Sequence, residues 1–138
     1  MALSVTSWPQ AVDYRVVYED NANATVRSNT TGSPGTVYTI IFDNSQGSAI
    51  AYLKIYDGYT ATAGTTEPHW RFKAGSGKSE TISVPRGIPF STGLTFWTTA
   101  SAATTNQDNP SVVTDGTVKV TMVVSSSETP MTELGPTY

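Results

Sequence analysis

The sequence predicts an all-β chain: an antiparallel β-sandwich of about eight short strands with extended terminal arms. Three observations carry that expectation. Thr, Val, Ile, Tyr and Ser dominate, with 23 Thr and 15 Ser among 138 residues; these suit a pleated surface, whereas helices want Ala, Leu, Glu, Lys, Gln and Arg at a 3.6-residue period. Apolar and polar residues alternate with period two over several segments. Turn-forming clusters recur between those segments at roughly 10–15-residue spacing, the rhythm of a sandwich rather than of an α/β fold. Immunoglobulin-like and jelly-roll-like windings both fit this pattern.

The elements follow in chain order. Tyr14–Glu19 and Ala24–Arg27 read as strands separated by the turn residues Asp20 and Asn21. Thr36–Asp43 follows Gly32-Ser33-Pro34-Gly35; its consecutive Ile40, Ile41 and Phe42 are apolar on both faces, which predicts a central strand. In Ala49–Asp57, Ala51, Leu53 and Ile55 line one face and Tyr52, Lys54 and Tyr56 the other. Pro68–Lys73 and Ser79–Val84 flank Ala74-Gly75-Ser76-Gly77, read as a hairpin loop. Leu94 and Phe96 alternate with Thr95 and Trp97, and Val118, Val120, Met122 and Val124 alternate through Thr117–Ser125.

The remaining stretches lack strand patterning. Thr60–Glu67 is a Thr/Ala/Gly loop, and Ala100–Pro110 is a polar loop long enough to suggest a function of its own. Residues 1–12 and 126–138 form the arms around a single sandwich domain at 13–125. The arms carry isolated large side chains: Leu3, Trp8, Met131, Leu134 and Tyr138. A few such anchors at about 1.5–3 kcal/mol each do not offset the roughly 1–2 kcal/mol per residue needed to order a backbone. These five residues are therefore candidate partner contacts.

Composition excludes several classes. The net charge of −3 with eight scattered basic residues offers no footprint for nucleic acid. No apolar run approaches the roughly 20 residues of a membrane span. Residues 1–7 carry neither a basic segment nor an apolar region, so no secretory signal is expected. The absence of cysteine removes disulfides, thiolate metal sites and cysteine nucleophiles.

Catalytic motifs fare no better. Gly75-Ser76-Gly77-Lys78-Ser79 contains the Gly-Lys-Ser of a phosphate loop, but Phe72 stands where that loop needs another glycine, and strand residues follow where it needs a helix. His69 is the sole histidine, with no Gly-x-Ser-x-Gly elbow to partner it. Asp20, Asp43, Asp57, Asp108 and Asp115 sit at turns, where Asp serves local geometry. No calcium loop or histidine pair occurs, so no catalytic residue, metal or cofactor is expected. Asn23-Ala24-Thr25 and Asn29-Thr30-Thr31 match the glycosylation pattern, which carries little weight without a secretion signal. Aromatic side chains remain: Tyr52, Tyr56, Trp70 and Trp97 form a candidate aromatic surface, for a protein partner or for a glycan.

One long segment points to a family. Tyr52-Leu53-Lys54-Ile55-Tyr56-Asp57, Thr60-Ala61-Thr62 and Gly64-Thr65-Thr66-Glu67-Pro68 are followed by Pro85-Arg86-Gly87, Phe90-Ser91-Thr92-Gly93-Leu94 and Thr98-Thr99. With the polar loop Ala100–Asp108 and the final strand Val118–Val124, this stretch of roughly residues 49–125 resembles small virion structural proteins of tailed phages. The resemblance implies a non-enzymatic particle component, by analogy a capsid decoration or cement protein that bridges major capsid subunits on the shell exterior. It further implies synthesis in the host cytoplasm and assembly with copies of itself, expected as a homotrimer. A carbohydrate-binding module on the virion and a neck or tail-fibre adaptor are the alternative expectations.

Overall fold

The computed structural model describes residues 14–126; apart from Ser126, both arms lie outside them. Among the described residues are seven strands: β1 (Tyr14–Glu19), β2 (Gly35–Asn44), β3 (Ala51–Asp57), β4 (Trp70–Ala74), β5 (Lys78–Phe90), β6 (Leu94–Thr99) and β7 (Lys119–Ser125). They form an antiparallel sheet ordered β1-β7-β2-β5 and a second ordered β4-β3-β6. Strand β2 is central, as its two apolar faces predict.

The inner faces meet in one core. Val37, Ile40, Phe42, Phe90, Val120, Met122 and Val124 come from the four-stranded sheet; Ala51, Leu53, Ile55, Ala74, Leu94 and Phe96 come from the three-stranded one. Each large side chain buried this way contributes about 1.5–3 kcal/mol. The period-two alternation of β3 and β7 therefore decides which residues reach the interior.

The expected eighth strand, Ala24–Arg27, is an irregular edge segment instead. It holds one isolated bridge, Arg27 to Phe96, and the amides of Arg27, Thr30 and Thr98 donate to Phe96, Leu94 and Asn23 carbonyls. Side-chain competition accounts for the irregularity. Arg27 donates into the Thr25 and Asn21 carbonyls, and Asn23 Oδ1 accepts from the Thr25 amide, offering the backbone local alternatives to a ladder.

Counting that segment, the pairings nest: β1 with β7, residues 23–30 with β6, β2 with β5, and β3 with β4. First pairs with last, second with second-last, and so inward, which is the winding of a jelly roll. The winding is not immunoglobulin-like, because among the described residues the first strand pairs antiparallel with the last.

Two further expectations are corrected. Strand β5 runs beyond Ser79–Val84 to Phe90, through an irregularity in which Tyr38 alone faces residues 84–87. Gly87 at φ 79° makes the bend, and its missing Cβ admits the Thr36 and Tyr38 side chains. Gly75-Ser76-Gly77 is not a hairpin loop, because β4 and β5 belong to different sheets; it is a corner between layers.

Polar side chains clamp the corners. Asn44, buried at the end of β2, donates Nδ2 to the carbonyls of Ala49 (2.9 Å), Gly75 (3.0 Å) and Ala74 (3.3 Å). At the β5–β6 corner, Asp57 Oδ2 accepts from the Ser91 amide and hydroxyl, and Oδ1 from the amides of Thr92 (2.8 Å) and Gly93 (3.2 Å). Burial alone would push the Asp57 carboxyl up, but these four donors outweigh it and hold it below its ordinary 3.8.

A pH dependence follows. A depressed folded pKa stabilises the native state above the unfolded value, and that stabilisation is lost as pH falls through the folded pKa. Urea titrations should therefore show the wild type losing stability below about pH 4. Asp57→Asn should be weaker at neutral pH by about 1.5 kcal/mol and show a shallower acid limb. An unchanged limb would remove Asp57 from the acid sensitivity.

Candidate interaction surface

The outer face of the three-stranded sheet is covered by the chain itself. Cross-strand register places Arg71, Lys54 and Trp97 in one row, and the polar loop 100–110 folds over it. Lys54 Nζ donates to the Ala103 carbonyl at 2.7 Å, and Arg71 Nε donates to that of Ala102 at 2.9 Å. The second Arg71 terminal nitrogen reaches Thr104 and Glu67, and Thr104 donates to Glu67. Lys54 is fully buried; burial first, then the neighbouring Arg71 charge, holds its ammonium below the usual lysine range. The loop expected to have a function of its own covers this face.

That cover takes apart the expected aromatic surface. Trp97 is only 1% exposed, and its Nε1 has no acceptor. Trp70 pairs with Ile55 and therefore lies on the opposite, core-facing side. Tyr52 and Tyr56 stay on the outer face, half-buried, with His69 stacked on Tyr56 at 4.7 Å and its Nδ1 accepting from the Asp57 amide. No row of exposed aromatics results. Period-two parity predicts that Tyr52, Tyr56 and Trp97 share a face; a loop closing over that face leaves no such signal. The other candidates, Leu3, Trp8, Met131, Leu134 and Tyr138, lie outside the described residues. Among the described residues, no three His, Asp or Glu side chains stand together as metal ligands.

The exposed apolar surface lies on the other sheet. In β1, Tyr14 (44% exposed), Val16 (64%) and Tyr18 (59%) face outward, while Arg15, Val17 and Glu19 face inward, Val17 packing on the core. This reverses the usual arrangement, in which charged residues take the solvent side. Val16 continues through Val123 and Thr39 to Ser83, and Tyr18 through Thr121 and Ile41 to Thr81. Tyr14 meets Tyr38 edge-on at 5.8 Å. These rows hold only Tyr, Val, Ile, Thr and Ser; the charged pair Asp43 and Lys119 stands one row beyond.

No family model, curated protein or solved structure matches this chain. The inward charges are held locally: Arg27 Nε meets Glu19 at 2.7 Å, and Arg15 donates to the Thr31 carbonyl and the Ser33 hydroxyl. Sequence reading found β1 but not its orientation. The available signal was Tyr-x-Val-x-Tyr alternating with Arg-x-Val-x-Glu, and by itself that pattern predicts the tyrosines inside.

Proposed function

We propose that this chain is a non-enzymatic phage virion protein, a capsid cement or decoration protein that stabilises the shell by bridging major capsid subunits beside copies of itself. One observation carries the reading: the outward Tyr14, Val16, Tyr18 and Ile41 on an uncharged, hydroxyl-rich sheet face. Contiguous apolar surface of this kind suits a protein partner, and neutral hydroxyls form hydrogen bonds without the desolvation cost of charges. The resemblance of residues 49–125 to small phage structural proteins agrees with it.

Adhesion through such a face depends on apolar burial, which salt does not screen. Capsids of the parent phage incubated with the protein should bind it at hundreds of copies by gel densitometry and keep it in 1 M NaCl. Val16→Glu should weaken binding at least tenfold while leaving the urea midpoint nearly unchanged, because Val16 contributes little to the core. Shedding in high salt would overturn the apolar mechanism. About a dozen copies per particle would point to a neck or tail-fibre adaptor. The carbohydrate-binding reading loses its platform, since Trp97 is buried and Trp70 faces the core.

A further inference from the structure

A sheet edge exposes unpaired backbone groups, and monomeric proteins guard such edges with proline, charge, bulges or a covering segment. Four edges occur among the described residues. The β5 edge carries Pro85, Pro89 and the bend at Gly87. The β4 edge is five residues long and holds Arg71 and Lys73. The β6 edge is covered by residues 23–30. The β1 edge is six regular residues without proline, lysine or bulge, and its only charges, Arg15 and Glu19, point inward. Beside it, a groove of about 520 Å³ opens between residues 16–19 and the segment around Val26–Thr30.

We infer that two copies of this chain pair antiparallel through β1, about a two-fold axis at Val17. The β1 sequence is self-complementary in that register. Arg15 of each copy faces Glu19 of the other, Val17 faces its own counterpart, and Val16 lies beside the partner's Tyr18, as an isologous contact requires. Charge at the ends supplies the register. Arg15 Nε is buried without an acceptor, and a carboxylate retains acceptor capacity beyond the bonds Glu19 already makes. Main-chain bonds across the seam supply the affinity, as in other strand additions. The pair would join two four-stranded sheets into one eight-stranded layer and double the uncharged outer face. It rests on the edge geometry and not on the virion reading, and a closed two-fold contact does not by itself build the expected trimer.

The chain contains no cysteine, so a single introduced thiol reports its own position. Sedimentation of the full chain at about 100 µM should give twice the 14.7 kDa monomer mass. Under mild oxidation, Val17→Cys should cross-link into a covalent dimer and Val16→Cys should not, since Val16 faces Tyr18 across the seam. Arg15→Glu and Glu19→Arg should each lose at least tenfold in self-association, and their equimolar mixture should recover it. A monomeric wild type, or cross-linking at position 16 in place of 17, would overturn the inference. So would self-association that persists while Val17→Cys stays uncross-linked.

Discussion

Asn44→Asp is expected to be the most damaging near-isosteric change in the described residues. Asn44 Nδ2 faces three carbonyl oxygens at 2.9–3.3 Å, and its side chain is buried. A carboxylate there sets negative charge against three acceptors with no compensating cation, which costs about 3–5 kcal/mol. Asn44→Ala leaves carbonyls without a donor and should cost less, about 1–3 kcal/mol. Against a total stability of about 5–15 kcal/mol, the aspartate variant should have a greatly lowered urea midpoint at pH 7. The pH response separates charge from shape. Burial raises the variant's carboxyl pKa in the folded state, so the native state binds the extra proton and stability should recover as pH falls toward about 4. A variant equally unstable at both pH values would mean that packing, not charge, dominates at this corner.

Trp97→Ala should cost about 3–5 kcal/mol, the range for removing a large buried aromatic. Trp97 occupies the outer-face row that loop 100–110 closes over, so its removal leaves a cavity beneath a segment that cannot collapse freely. Lys54 and Arg71 tether that segment through the Ala103 and Ala102 carbonyls. Trp97→Phe should cost only about 1 kcal/mol, because the lost volume is partly offset by removing an indole N–H that has no acceptor. Chemical denaturation would measure both. Limited proteolysis should cut the alanine variant faster within 100–110. A small loss in Trp97→Ala would show that the loop, not the indole, fills the space.

Strand identity was largely legible in the sequence. Alternation in β3 and β7, the doubly apolar run in β2, and intervening Gly, Asn and Asp turns are local properties, set by a side-chain period that depends on no distant contact. Asp57 was legible as a turn residue for the same reason, and Asn44 as the residue just past the Thr36–Asp43 strand. What each clamps was not: Asp57 holds residues 91–93, and Asn44 holds residues 74–75, contacts made only when the two sheets stack.

Parity assigns residues to faces but does not say which face is covered, and the two outer faces of this sandwich differ for that reason. Tyr52, Lys54 and Trp97 share a face that looks like an exposed platform by pattern, until residues 100–110 fold over it. Tyr14, Val16 and Tyr18 look like core by pattern. They face outward because Val17 is drawn to Met122 and the core, and the residues beside it, Arg15 and Glu19, find partners at the mouth of the sandwich. Sequence by itself determined an all-β chain, its central strand and its turn residues, because those depend on local geometry. Only the tertiary structure decided the jelly-roll winding, the buried Lys54 and the outward apolar face, because each is the result of long-range segments competing for the same surface.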